Sequence, residues 1–216
     1  QIHALRTNAL YGHLSPGWPA AEAEVERTVP SGADVKKVSQ MDIFWHPDVV
    51  FKVADLGNAC WVDRHFSDDI QTRQYRAPEV LLQAGYDCSA DIWSLGCMLF
   101  ELATGDYLFD PRGTAEYPRD EDHLALTMEL MGPMPHELLM KGKKTPLYFE
   151  PILNRSQPAQ LLHIRQTKIW GVAGILDQKY RMRPEFAKGF AAFLEPMLQL
   201  DPEKRSTAQE LLAHPW

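Results

Sequence analysis

The sequence predicts a mainly α domain that opens on one short β element. Three observations carry this. A single β-branched run, Val49-Val50-Phe51-Lys52-Val53-Ala54, is short and stops at the turn Asp55-Leu56-Gly57, as a strand does. The run Ile92-Trp93-Ser94-Leu95-Gly96-Cys97-Met98-Leu99-Phe100 is apolar nearly all round, the pattern of a helix in the middle of a core. Beyond it, helix starts and stops recur to the C-terminus.

The elements follow in order. Residues 1–41 mix Pro16, Pro19 and Pro30 with Gly12, Gly17, Gly32 and the polar run Glu22-Ala23-Glu24-Val25-Glu26-Arg27. They read as a largely disordered linker with at most one short helix, and the domain begins at residue 42. The strand at 49–54 delivers Asp55 to its turn, where Gly57 is expected to supply the backbone freedom. A loop follows to Arg76, and Ala77-Pro78-Glu79 opens a short helix over 80–83. Ser89 is expected to cap a long helix over 90–104 that Gly105 closes. Asp120, Glu121 and Asp122 open the next helix, where negative charge suits the N-terminal dipole, and Gly132 stops it. Residues 133–169 carry Pro133, Pro135, Pro146, Pro151 and Pro158 and read as loop-rich. Pro184 begins a helix to about residue 200, broken by Asp201-Pro202. Ser206 is expected to cap a last helix that ends before His214-Pro215-Trp216.

Composition narrows the function classes. With 216 residues and 45% hydrophobic content the chain can bury a real core. A formal net charge of -7 argues against a general nucleic-acid binder and leaves room for a basic partner. Cys60, Cys88 and Cys97 have no paired spacing, so they read as reduced thiols of the cytosol or nucleus, neither a disulfide scaffold nor a zinc site. No apolar run approaches the roughly 20 residues that span a bilayer. The first residues show no signal peptide and no initiating Met, which reads as a processed chain or a partial sequence.

Four constellations carry chemistry. In Lys52-Val53-Ala54-Asp55-Leu56-Gly57 a strand end presents a carboxylate of the kind magnesium takes alongside phosphate oxygens. By itself an Asp-x-Gly turn is usually only a turn. Ala77-Pro78-Glu79 follows, with Glu79 24 positions after Asp55, the order and spacing of the ends of a kinase activation segment. Asp122 and Glu129 lie seven apart, on one helical face, with Asp106, Asp110 and Glu116 before them. On sequence alone these are as well read as a solvated acidic face. Arg73, Arg76 and Arg119 form the fourth, a basic set that could equally brace the loop it sits on.

Ala54-Asp55-Leu56-Gly57-Asn58-Ala59-Cys60-Trp61 resembles the SR-protein kinases, whose metal-binding triplet reads Asp-Leu-Gly. The segments Asp69-Ile70-Gln71-Thr72-Arg73-Gln74-Tyr75-Arg76, Phe100-Glu101-Leu102-Ala103-Thr104-Gly105-Asp106-Tyr107-Leu108-Phe109 and Tyr117-Pro118-Arg119-Asp120-Glu121-Asp122-His123 agree in the same order. So does the ending, Asp201-Pro202-Glu203-Lys204-Arg205-Ser206-Thr207-Ala208 with His214-Pro215-Trp216. The likeness runs from about Val49 to Trp216. It implies the large, C-terminal lobe of a protein Ser/Thr kinase over 42–216, with ATP and Mg2+ as cofactors of the intact enzyme and Arg-Ser-rich proteins as substrates. Asp55 would hold magnesium, and Gly57, Ala77, Pro78 and Glu79 would complete the activation segment. Glu79 would pair with Arg205, and Asp91 would anchor the catalytic loop. Asp106, Asp122, Glu129 and Lys179 would dock Arg-Ser repeats; Arg73, Arg76 and Arg119 would face an already phosphorylated serine. The segment carries Ser67, Thr72 and Tyr75 without a Thr-x-Tyr pair, which implies activity without activation-loop phosphorylation. The family implies a monomer of cytoplasm and nucleus, with no membrane and no direct nucleic-acid contact.

The pattern also breaks. The sequence has no Gly-rich phosphate loop, no strand lysine with its glutamate and no His-x-Asp-x-Lys-x-x-x-Asn catalytic loop. His46-Pro47-Asp48 mimics its start but lacks the lysine and asparagine, so no catalytic residue is assigned. The small lobe is expected to be absent, residues 1–41 to be a spacer remnant, and the chain alone to be inactive. Two other readings stay open: a non-catalytic module that binds Arg-Ser segments, and a related kinase of the same broad group.

Overall fold

The computed structural model describes residues 52–165 and 169–216. Among them the secondary structure is helical. The helices are α1 (Pro78–Leu82), α2 (Ser89–Thr104), α3 (Arg119–Met131), α4 (His136–Lys141), α5 (Thr145–Tyr148), α6 (Val172–Gln178), α7 (Pro184–Leu194) and α8 (Ala208–Leu212), with 3-10 turns at Leu56–Asn58, Arg73–Tyr75 and Pro202–Lys204. No strand forms among the described residues; only isolated bridges pair Trp61 with Arg64 and Phe149 with Leu161. The strand expected at 49–54 falls outside the described residues at 49–51, and Lys52–Ala54 are exposed and not in a strand. The linker expected at 1–41 lies outside the described residues.

Helix α2 is the axis of the core. Ala90, Trp93, Cys97 and Phe100 recur at helical spacing and are at most 2% exposed. Each large side chain so buried stabilises by about 1.5–3 kcal/mol. The turn at 73–75, helix α7 and the turn at 202–204 all pack on α2. Its outer face is wetter than the sequence suggested, with Leu102 55% exposed. Ser89 does not cap it. The helix already includes Ser89, whose N–H donates to the Asp87 carboxylate at 2.8 Å while its own hydroxyl is buried without a partner. Gly105 closes α2 in the left-handed region at φ 80°, where a side chain would be strained.

Helix α3 begins after Pro118 with Asp120, Glu121 and Asp122 in its first turn and ends at Gly132. The loop-rich stretch after it holds two short helices, α4 and α5, each entered through proline-bearing turns. Helix α6, which sequence reading did not pick out, packs on α7. Helix α7 stops at Leu194 and not near 200, because Pro196 has no N–H to continue the ladder. Met197, Leu198 and Leu200 are nevertheless buried, as irregular chain wedged against α2. The last helix is capped by Thr207 in place of Ser206: Thr207 and Glu210 form a reciprocal capping box. Trp216 packs back on Phe186, Phe190 and Phe193 of α7.

Candidate functional site

The segment from Asp55 to Glu79 crosses the face of α2 and is fixed at its far end. Asp55 is exposed and sits in the left-handed region, φ 61° and ψ 61°, ahead of the Leu56–Asn58 turn. The unusual backbone is therefore at Asp55 and not at Gly57, which has an ordinary φ and room for a Cβ. Asp is among the few side chains that tolerate this region.

Gln71 holds the middle of the segment. It too is left-handed, at φ 67°. Its amide donates to the Ala90 carbonyl at 2.7 Å and to Ser94 Oγ at 2.9 Å, both on α2, and its Oε1 accepts the Ala77 N–H at 2.9 Å. Tyr75 donates from its hydroxyl to the Glu101 carboxylate of α2 at 2.5 Å, and burial with that carboxylate pushes the phenol well above its ordinary range.

The three arginines converge from two elements. Arg73 pairs with Asp120, whose other oxygen accepts the Tyr148 hydroxyl at 2.8 Å. Arg76 pairs with Asp69 at 2.7 Å and donates to the Gln71 carbonyl at 2.8 Å. Arg119, the first residue of α3, donates from Nε to the Pro111 carbonyl at 2.8 Å. Burial, and next the Arg73 cation, push the Arg76 guanidinium down. The same cations bear on the buried imidazole of His123, one turn along α3.

Glu79 and Arg205 close the segment on the core. Both side chains are fully buried and meet as a bidentate fork, Nη1 to Oε1 at 2.7 Å and Nη2 to Oε2 at 2.9 Å. Arg205 also donates to the carbonyls of Ser89 and Gln199 and lies 5.2 Å over the Trp93 ring. Asp91 sits in the first turn of α2, half-buried.

The acidic residues divide into two groups. Glu129 and Lys179 line a pocket of about 270 Å³ whose other walls include Leu108, Phe109, Leu126 and Trp170. Asp106 accepts the Tyr180 hydroxyl at 2.8 Å and lies 3.5 Å from Lys179 Nζ. The Tyr180 hydroxyl, with Asp106 behind it, holds the Lys179 ammonium above its usual range. Asp122 stands apart from this pocket, two turns up the same face of α3, and its carboxylate accepts the Arg112 N–H at 2.6 Å.

No three metal-ligating side chains converge among the described residues. No described helix is long and apolar enough to cross a membrane. Three features stand out: the cluster of guanidiniums at Arg73, Arg76 and Arg119, the mostly apolar pocket that holds Glu129 and Lys179, and the buried Glu79–Arg205 pair. Residues 34–216 match the protein kinase domain family.

The chain belongs to that family. Among curated proteins it is 53% identical over 169 residues to serine/threonine-protein kinase spk-1 of Caenorhabditis elegans, covering 78% of this chain and 16% of that one. It is 46% identical over 207 residues to SRSF protein kinase 3 of Homo sapiens, covering 95% and 33% respectively. It is 49% identical over 168 residues to serine/threonine-protein kinase SRPK of Physarum polycephalum, covering 77% and 38%. The chain thus spans less than two fifths of the length of these relatives. Its place within the kinases is with the SR-protein kinases.

In this member of the family several residues shape the site without a sequence signal. In the sequence Glu121 reads only as a helix-start acid. It is fully buried and accepts the N–H groups of His163 and Ile164 at 2.7 and 3.2 Å, with the His163 ring at 2.6 Å. Gln71, Asp120 and Tyr148 act through partners 19 to 47 positions away in sequence, which no local pattern announces. Trp170 lines the pocket from a segment that reads as loop.

Proposed function

We propose that residues 42–216 are the C-terminal lobe of a kinase that transfers the ATP γ-phosphate to serines in Arg-Ser repeats of proteins. The observation that carries this reading is the pocket between α3 and α6, where Glu129 and Lys179 meet apolar walls and Asp106 stands beside Lys179. An arginine laid there finds a carboxylate for its guanidinium and aromatic surface for its plane, each a favoured contact. Asp122, further up α3, extends the acidic track for the next arginine. A repeated peptide can shift register along such a track with little change in contacts, which suits phosphorylation of many serines in turn. A chain of net charge -7 favours such a basic protein partner over nucleic acid.

The remaining roles follow in the same reading. Asp55 supplies one carboxylate to magnesium, which in the intact enzyme neutralises charge on the ATP phosphates. One exposed carboxylate on a turn fits a hard ion of this kind, and Asp55 would be the ligand this segment offers it. Asp91 holds the backbone of the catalytic loop, Glu79 and Arg205 fasten the activation segment, and Arg73, Arg76 and Arg119 receive a phosphorylated serine. Gln71, Tyr75 and Arg205 hold the segment through hydrogen bonds of their own, which supports activity independent of its phosphorylation.

The 216 residues contain no Gly-rich loop and no catalytic-loop base, so by themselves they bind and do not transfer phosphate. Leu56, Trp61, Val62 and Phe66 are 64–74% exposed, which fits a segment covered by other parts of a complete kinase. The test is an Arg-Ser repeat peptide titrated against the chain at low and high salt. Salt-sensitive binding is expected, weakened several-fold by Asp122→Lys and Glu129→Lys, with no phosphate incorporated when Mg-ATP is added. Unchanged affinity after both reversals sinks the docking assignment. Phosphate transfer by the chain alone sinks the inactivity.

A further inference from the structure

The two carboxylates that meet the arginine cluster are not equivalent. Asp69 is 73% exposed at the side chain and lies in the loop ahead of the Arg73–Tyr75 turn. Its side chain meets Arg76 through one oxygen; its backbone N–H is held by the Ser67 hydroxyl at 3.0 Å. Asp120 is 23% exposed. It lies in the first turn of α3, where the helix dipole favours its charge, and both its oxygens are occupied, one by Arg73 and one by Tyr148.

We propose that Asp69 is a displaceable counter-ion that occupies Arg76 until a phosphorylated serine of the substrate takes its place, while Asp120 is the fixed positioning residue that aims Arg73 at the same phosphate. This rests on the reading of the arginines as a phosphoserine site. Arg76 is 16% exposed, but Asp69 is 73% exposed and reaches it with one oxygen from the solvent side; a pair open to water on one side is worth about two- to five-fold in an equilibrium, so Asp69 leaves easily. A phosphoserine brings about two negative charges and three acceptor oxygens, against one charge on the carboxylate. Exchange at Arg76 therefore runs toward the phosphate. Asp120 cannot leave in the same way, since Tyr148 and the helix start hold it whatever Arg73 does. The consequence is a graded preference. Asp69 keeps Arg76 neutralised and the segment ordered while the substrate is unphosphorylated, and it sets how strongly the product phosphate is held.

The test uses the 216-residue chain and two Arg-Ser repeat peptides, identical except that one carries a single phosphoserine. Affinities are read by fluorescence anisotropy for wild type, Asp69→Asn, Asp120→Asn and Tyr148→Phe, with circular dichroism to confirm folding. Asp69→Asn is expected to tighten the phosphopeptide about two- to five-fold and to leave the unphosphorylated peptide no tighter. Asp120→Asn, and more mildly Tyr148→Phe, are expected to weaken the phosphopeptide alone. An Asp69→Asn chain that binds the phosphopeptide no better, or tightens on both peptides alike, overturns the counter-ion role. If wild type itself does not distinguish the peptides, the phosphoserine reading of the arginines falls, and this inference with it.

Discussion

At the scale of single residues, His123 shows how burial sets a charge state. Its ring is fully buried 5.5 Å from Phe109, and neither ring nitrogen has a hydrogen-bond partner. Burial pushes its pKa from 6.5 down to about 3; the Arg73, Arg76 and Arg119 cations push the same way and Asp120 opposes them. Above pH 6.5 both folded and unfolded chains hold it neutral, so it takes nothing from stability. As pH falls from 6.5 toward 3 the unfolded chain gains a proton that the folded chain excludes. Stability then falls by up to about 1.4 kcal/mol per pH unit from this group. His123→Leu should remove that slope, and urea unfolding at pH 7 and pH 5 for both chains measures it. Since no hydrogen bond is lost, the variant should be no less stable than wild type by more than about 1 kcal/mol at pH 7. Equal pH dependence in the two chains would show that the ring is not the group excluded.

At the scale of elements, the contact of α2 with the chain after α7 decides how closely the core closes. Gly96 faces Met197 and Leu198, and a Cβ there would lie 3.1 Å from both side chains. Alanine would gain about 1 kcal/mol in helix propensity. Met197 and Leu198 are at most 1% exposed and cannot step aside, so overpacking of about 1–3 kcal/mol outweighs the gain. Gly96→Ala is expected to lower the unfolding midpoint, by about 1 kcal/mol equivalent. A higher midpoint would mean that the wedge at 197–198 yields. Gly189 on α7 is under the same pressure from Trp216, whose Cδ1 would lie 2.8 Å from an added Cβ. Both glycines are there for close approach, not for backbone freedom.

At the scale of the molecule, the Glu79–Arg205 fork joins positions 126 apart in sequence. It fixes the end of the 55–79 segment to the core and carries Ser89, Gln199 and Trp93 in the same cluster of contacts. Removing one partner leaves the other charge buried, which costs about 3–5 kcal/mol. That is a large part of the 5–15 kcal/mol that typical domains have. Glu79→Gln should therefore drop the urea midpoint sharply, and Glu79→Leu combined with Arg205→Met should recover part of the loss. If the single change costs under about 1 kcal/mol, the fork is not what holds the segment.

Local chemistry alone determined much of this. The apolar run of α2, the acid start and glycine stop of α3, and the proline start of α7 were legible because each is written in adjacent residues. The motif pair Asp55-Leu56-Gly57 and Ala77-Pro78-Glu79 with Arg205 pointed to the kinase family for the same reason. Only the tertiary structure decided between equivalent local choices. Ser206 and Thr207 both precede a Gln or Glu by three residues, so two overlapping capping boxes were available. Arg205 is pulled into the core and Ser206 N–H bonds to the Pro196 carbonyl at 3.0 Å, which leaves Thr207 at the helix start. Glu121 and Asp122 open one helix alike, yet the first is buried on the His163 segment and the second faces the Arg112 loop. Which carboxylate is buried and which stays near the surface depends on what packs against each face, and that is set by chain far away in sequence.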